Sequence, residues 1–179
     1  MIIVVAVVLA LLNIDVFFPS GESRPLEEEL NTLIETTPVT SYRDPDFGFT
    51  VRYPAFFRQE KNDGEDGYVG FARFSYWHDS VHIVLLYYAT LDKENNTPDT
   101  KAKLLLADGH ARIVEKGNDW FVIAGELYEN GCRIDGYSYL KKYVRKGGFW
   151  LACSLLYPDA CSQSLQRMFK MVEEFENEE

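Results

Sequence analysis

The dipeptide Asn130-Gly131 constrains the fold of this chain more than any other pair of residues. Asn-Gly between alternating apolar residues is the strongest short-range signal for a β-hairpin with a two-residue turn. Glu129 should then face Cys132, and the numbers of paired residues should add up to about 261 along the hairpin. Two long antiparallel strands are therefore predicted on either side of the turn.

This register assigns the side chains to two faces. One face is apolar, with Phe121, Ile123 and Leu127 opposite Leu140, Ser138 and Ile134. A second turn, at Lys146-Gly147 or at Gly147-Gly148, leads into a third strand. Either turn places the same residues on the apolar face: Phe149, Leu151, Cys153 and Leu155. Because the parity of the side chains agrees across three strands, this face is predicted to form the core.

The opposite face of the predicted sheet mixes aromatic and charged side chains. Glu126 faces Asp135 in this register, and a three-residue turn after residue 116 brings His110 opposite Glu126. Like charges directly across a ladder are unfavourable unless they are solvated or bridged. The candidate binding residues on this face are His110, Glu126, Asp135, Tyr137, Tyr139 and Trp150.

Three interpretations of this face stay open. It could be a cleft that binds a cation, a sugar or an amine. The Glu126/Asp135 carboxylate pair could instead serve as acid and base in an extracytoplasmic hydrolase, if burial raised the pKa of one of them. Alternatively, the charged row is the solvated end of the sheet, and the aromatic side chains pack beneath a helix at about 98–108.

The rest of the chain supplies further strands and two helices. Thr97-Pro98 is a typical helix start, and a last helix from Pro158 should bury Leu165, Met168, Phe169 and Val172. Strand patterns cover 49–53, 68–77, 81–89, 110–116, 120–128, 132–145 and 149–156. This order predicts an α+β protein with an antiparallel sheet.

One segment carries a resemblance to a known family. Asp46-Phe47-Gly48-Phe49-Thr50-Val51-Arg52-Tyr53-Pro54 resembles the Gly-Phe-x-aliphatic-x-Tyr-Pro strand of the PsbP-like superfamily, which includes the photosystem extrinsic protein PsbP and bacterial periplasmic DcrB-type domains. The resemblance implies an α-β-α sandwich around an antiparallel sheet over residues 42–176. Members share a scaffold and not a chemistry, so the resemblance implies no site residues.

The amino terminus predicts export. Residues 1–12 carry no charge, and the apolar run continues to Phe18 despite Asn13 and Asp15. We expect residues 1–20 to be a signal peptide or an N-terminal membrane anchor, which leaves the remaining chain periplasmic or extracellular. Residues 21–41 are interpreted as a linker, in which a short amphipathic helix is bracketed by Pro25 and Pro38, and residues 42–179 as one domain with an acidic tail.

Composition and motifs narrow the partners. The net charge of −10 excludes a general nucleic-acid binder and argues against an anionic membrane surface as partner. We expect a protein or small-molecule ligand and no cofactor, because no phosphate-binding loop or hydrolase motif is present. Two groups resemble metal ligands, His78-Asp79-His82 and the loop 62–67, but neither has convincing ligand spacing, so no metal is expected.

The three cysteines suggest one disulfide. The predicted turns place Cys132 opposite position 161 or 163, where the last helix begins, so Cys132 and Cys161 are the expected pair, with Cys153 free. Three reduced thiols are the alternative.

Overall fold

The computed structural model describes residues 26–45, 47–61, 68–78 and 81–176. The helices are α1 (Leu26–Thr36), α2 (Pro98–Leu105) and α3 (Gln166–Glu173), and a 3-10 helix (Asp159–Leu165) leads directly into α3. The strands are β1 (Val39–Arg43), β2 (Thr50–Pro54), β3 (Arg58–Gln59), β4 (Gly70–His78), β5 (Val81–Leu91), β6 (Ala111–Lys116), β7 (Trp120–Glu129), β8 (Cys132–Lys146) and β9 (Phe149–Pro158).

Seven strands form one antiparallel sheet in the order β3-β4-β5-β9-β8-β7-β6, and β1 and β2 pair separately. The expected α+β architecture is confirmed. Helices lie on both faces of the sheet, which we call the α3 face and the α2 face. The α3 face carries α1, α3 and the larger core cluster, and the α2 face carries the smaller one.

The α3 face is built by apolar side chains of alternating strand positions. Leu140, Leu151, Cys153 and Leu155 project from β8 and β9 into this core, as the sequence predicts. The 3-10 helix and α3 bury Leu165, Met168 and Val172 against them at helical spacing, which confirms the predicted face of the last helix.

On the α2 face, the aromatic side chains are packed beneath helix α2. Thr97 caps α2 by accepting a hydrogen bond from the backbone N–H of Thr100, and Pro98 follows it in the first turn, as predicted. Ala102 of α2 packs against a buried aromatic cluster. The members of the cluster on the sheet are Phe121, Ile123, Tyr143, Trp150 and Ala152.

The interpretation of residues 26–41 as a linker is wrong. They form α1 and most of β1, and Leu30 and Ile34 of α1 are buried in the main core. Such a short helix is marginal by itself and forms because its apolar side chains are buried against the rest of the fold. The proposed leader, residues 1–20, lies outside the described residues.

Both predicted turns are present. Asn130 and Gly131 have φ angles of 52° and 79°, and Gly147 and Gly148 have φ angles of 57° and 83°, as type I′ turns require. Glu129 pairs with Cys132, as expected, and the second turn lies at Gly147-Gly148.

The register predicted beyond the first hairpin turn is wrong. Between the pairs Tyr128–Arg133 and Glu126–Ser138, β7 has one residue and β8 has four. The three additional residues form a bulge that includes Gly136, whose φ is 74°. An odd number of extra residues exchanges the faces of β7 relative to β8. Phe121 therefore pairs with Tyr143 instead of Leu140, and Glu126 does not face Asp135.

The expected Cys132–Cys161 disulfide is not present, and all three cysteines are free. The last pair between β8 and β9 is Tyr137–Pro158, so the hairpin end that carries Cys132 extends beyond β9. Cys132 is exposed there, whereas Cys161 is buried in the 3-10 helix. In the part of the chain that the structure describes, no helix has the length and apolar character needed to cross a membrane.

Candidate functional site

Only two of the predicted site residues line the same depression of the surface. His110 and Glu126 line a shallow depression of about 360 Å³ at the end of β6 and β7. Arg112, Ser138 and Tyr157 also line it. The ring of His110 stacks on Tyr128 with 4.0 Å between their centroids.

Asp135 lies in the bulge and not in this depression. Its side chain is 97 % exposed, and Arg133 connects it to Glu126: the guanidinium nitrogens are 3.0 Å from Glu126 and 3.7 Å from Asp135. The charged row is thus bridged by a cation, which removes the repulsion that the sequence suggested. Tyr137 lies at the inner end of the bulge, paired with Pro158.

Tyr139 and Trp150 belong to the α2 face. Trp150 is 1 % exposed, and its ring centroid is 5.8 Å from that of Phe121. Tyr139 is half-buried, and burial, followed by the charge of Asp108, raises the pKa of its hydroxyl. The ring of Trp150 is therefore covered by protein side chains and does not line an open cleft.

A cavity larger than this depression lies elsewhere, between α3, the β1–β2 pair and the β8–β9 turn. This α3 cleft has a volume of about 700 Å³. Its apolar lining consists mainly of Phe47, Phe49, Tyr87, Phe149, Leu151, Met171 and Phe175. Its charged side chains are Arg52, Lys146, Arg167, Lys170, Glu174 and Glu176.

The β1–β2 loop shapes one wall of the cleft. The Asp44 carboxylate accepts a hydrogen bond from the Phe47 N–H at 2.7 Å, and the Asp44 carbonyl accepts one from the Gly48 N–H at 2.9 Å. Gly48 has a φ of 71°, which other residues adopt rarely. The turn holds Phe47 edge-on against Phe149, with 5.5 Å between the ring centroids.

Gly70 of β4 allows the two phenylalanines of this loop to approach the sheet. A Cβ atom at Gly70 would lie 3.0 Å from Phe49 and 3.1 Å from Phe47, closer than ordinary van der Waals contact. The wall of the cleft therefore depends on a glycine that is distant in sequence.

Several polar groups of the cleft already have partners in the fold. Arg167 donates to the carbonyl oxygens of Ile34, Glu35 and Thr37, at the C-terminal end of α1. Lys146 binds Glu176 at 2.6 Å. Tyr87 donates to the carbonyl of Arg52 at 2.7 Å, and burial keeps the pKa of its hydroxyl well above the usual value.

Lys170 differs from these groups. It is exposed at the edge of the cleft, and its ammonium makes no hydrogen bond or ion pair with any described residue. It is therefore available to a ligand. Sequence reasoning did not identify the α3 cleft, because its lining comes from five separate segments. The one usable signal was the Phe47-Gly48-Phe49 motif, which the resemblance treats as structural.

The weak metal candidates gain no support. His82 stacks on Trp77 with 3.3 Å between ring centroids, and burial, then the charge of Arg73, lowers its pKa. No cluster of three potential ligands occurs among the described residues. Asp79 and the loop 62–67 lie outside them.

Comparison with known proteins supports the scaffold. No protein-family model matches the sequence, and no curated protein is similar to it. The solution structure of cyanobacterial PsbP (CyanoP) from Synechocystis sp. PCC 6803 is similar, with a TM-score of 0.53 and 11 % identity over 78 % of this chain and 91 % of that chain. The protein is thus an α+β protein of PsbP-like fold, and the expected scaffold is confirmed. At this identity the similarity extends to the fold alone.

Proposed function

We propose that this chain is an exported, non-catalytic binding domain whose ligand occupies the α3 cleft. The observation that supports this most is the combination of an aromatic lining with four cationic side chains on a protein whose net charge is −10. The volume of about 700 Å³ is in the range typical of small-molecule sites.

The lining favours an amphipathic anion as the ligand. The rings of Phe47, Phe149 and Phe175 suit an apolar body, and Lys170 suits a carboxylate, sulfonate or phosphate group. Because Lys146 and Arg167 already have partners, Lys170 is the cation that a ligand engages without breaking a contact of the fold.

Export remains part of this proposal. It rests on the uncharged run at residues 1–12 and is consistent with a binding domain that works outside the cytoplasm. The PsbP-like scaffold does not decide the ligand, since a fold of this kind hosts unrelated functions.

The hydrolase alternative with Glu126 and Asp135 has less support. A general acid of this kind needs burial to hold its proton, whereas both carboxylates are accessible and share Arg133. The pair also lacks a cavity between its members, because Asp135 is not part of the depression that contains Glu126.

The proposal is tested with 8-anilinonaphthalene-1-sulfonate, an aromatic anion, titrated into the full chain and followed by fluorescence and by amide chemical shifts. Perturbed amides should map to residues 47–50, 149–151 and 170–176. Lys170→Glu should weaken binding roughly tenfold, since it replaces an attractive charge by a repulsive one.

Lys103→Glu is the matched control, because Lys103 is an exposed lysine on α2 and the substitution changes the net charge equally. It should leave the affinity unchanged. Chemical shift changes centred on His110 and Glu126, or equal weakening by both variants, would contradict the assignment of the α3 cleft.

A further inference from the structure

A second chemically distinctive group lies on the α2 face, on the opposite side of the sheet from the α3 cleft. The ammonium of Lys141, on β8, lies over three tyrosine rings, 5.4 Å from the centroid of Tyr139, 5.7 Å from Tyr88 and 5.9 Å from Tyr143. Among the described residues it has no carboxylate partner and no hydrogen-bond acceptor. Its side chain is half-buried, so the cage retains an opening to solvent.

The polar groups around this amine do not form hydrogen bonds with it. The hydroxyls of Tyr88 and Tyr143 are 3.0 Å apart and bond to each other. On the helix side, the charge of Asp108, after α2, acts on Tyr139 and helps to raise the pKa of its hydroxyl. Lys141 is therefore stabilised by the ring faces alone.

Ser154 supplies an independent sign of a missing partner. It pairs directly with Lys141 across β8 and β9, so its side chain projects from the same face. The side chain is fully buried, and its hydroxyl has no hydrogen-bond partner among the described residues. A buried hydroxyl without a hydrogen-bond partner is unusual in folded proteins.

We propose that Lys141 is a covalent attachment site for small carbonyl compounds, with the tyrosine cage enclosing the adduct and Ser154 hydrogen-bonded to it. The lone pair of the Lys141 Nζ attacks the carbonyl carbon as the C=O π bond breaks, and one proton passes from the nitrogen to the oxygen to give a carbinolamine. The C–O bond then breaks as the nitrogen lone pair forms the C=N bond of an imine, and the oxygen leaves as water with the second proton of the nitrogen. The aromatic walls favour an aromatic aldehyde.

The electrostatics of the cage support this reactivity. Burial lowers the pKa of Lys141 to about 8, so at neutral pH it carries far more uncharged amine than an ordinary lysine. The neighbouring Lys142 is different, because its ammonium is already bound by the backbone carbonyl of Glu173.

The test uses the full chain with benzaldehyde as probe and sodium cyanoborohydride as the reductant that converts the imine to a stable secondary amine. Modified lysines are located by tandem mass spectrometry at short reaction times. At pH 7 Lys141 should be labelled roughly tenfold faster than Lys103 and Lys170, allowing for the lower nucleophilicity of a less basic amine. Its rate should level off above pH 8, while the rates of the two exposed lysines continue to rise.

Lys141→Arg keeps a cation over the rings and should abolish the fast phase while the labelling of Lys103 persists. The labelling rates measured on the protein without the substitution decide the question by themselves. The test therefore does not depend on whether this variant folds. Labelling of Lys141 no faster than that of Lys103, or labelling only after denaturation, would overturn the proposal.

Discussion

The ammonium of Lys142 lies 2.6 Å from the backbone carbonyl oxygen of Glu173, at the C-terminal end of α3. The lysine is fully buried, and its ammonium also lies 4.8 Å from the centroid of the Trp120 ring. Burial lowers the pKa of Lys142, and the charges of Glu115 and Glu173 act in the opposite direction. A cation at the negative end of the helix dipole thus holds the segment that forms one wall of the α3 cleft.

Lys142→Met should loosen this segment without unfolding the protein. The variant loses the hydrogen bond of the ammonium, which destabilises the fold, but it no longer has to bury a charge, which stabilises the fold by a similar amount. We therefore expect the free energy of unfolding to change by less than about 1 kcal/mol. Amide hydrogen exchange at Glu174 and Phe175 should become at least about tenfold faster. A loss of stability above roughly 3 kcal/mol would instead show that the buried charge is strongly paired.

Arg167→Met should destabilise the whole fold. The substitution removes the donor that satisfies three carbonyl groups at the end of α1, at a cost of about 2–3 kcal/mol in urea denaturation. Lys170→Met, on the same helix and exposed, is the matched control and should change stability by less than about 0.5 kcal/mol. Equal effects of the two variants would show that the cap of α1 contributes nothing measurable.

Shortening the chain distinguishes the folded segment from the proposed leader. A chain that starts at Gly21 keeps α1 and should unfold cooperatively. A chain that starts at Tyr42 loses Leu30 and Ile34 from the core, and the burial of two such side chains contributes about 3–6 kcal/mol. We therefore expect the shorter chain to be largely unfolded in circular dichroism, and a cooperative transition of unchanged midpoint would contradict the packing of α1.

Comparison with Lys141→Met should show how much the buried charge of Lys141 destabilises the fold, because this contribution to the free energy of unfolding depends on pH. Between the pKa of about 8 in the folded chain and the ordinary lysine value of 10.5, the unfolded chain binds more protons, so the stability contribution of Lys141 rises with pH. Urea denaturation should show the original protein gaining roughly 1–3 kcal/mol relative to the variant between pH 7 and pH 10, a range that allows for partial exposure. A difference that does not change with pH would mean that Lys141 is not desolvated.

The tyrosines of the cage set the highest pH at which this comparison is useful. Burial raises the pKa of Tyr88 and that of Tyr143, the latter to about 12. Above pH 10 the unfolded chain loses these protons first, so stability falls in both proteins. The comparison with the variant is therefore most informative below pH 10.

Local sequence signals predicted the turns, the capped helix α2 and the faces of β8 and β9. They succeeded where a residue pair dictates its own backbone conformation, as Asn130-Gly131 and Gly147-Gly148 do. They suggested the short helix α1 but not its role, because the two prolines that bracket it indicated a linker while Leu30 is buried in the main core.

The candidate site was harder to predict than the fold. The bulge at Gly136 moved Glu126 away from Asp135, and Asp135-Gly136 was the only local sign of it. The α3 cleft joins a loop, a turn and a helix that are far apart in the chain, and no periodic pattern relates such segments. Lys141 and Lys142 are adjacent and identical in type, so only the packing on the two faces distinguishes a caged amine from a helix cap.

The bulge in β8 also determines how this hairpin tolerates changes in length. Deleting two residues from positions 134–137 would keep the parity that directs Lys141 to one core and Lys142 to the other. Deleting a single residue would exchange the two faces of either β7 or β8. In β8, an ammonium would then replace an aromatic ring in one core, and an aromatic ring would replace an ammonium in the other. Insertions and deletions at this site should therefore be tolerated only in even numbers, because an odd number changes which face of the sheet each following side chain occupies.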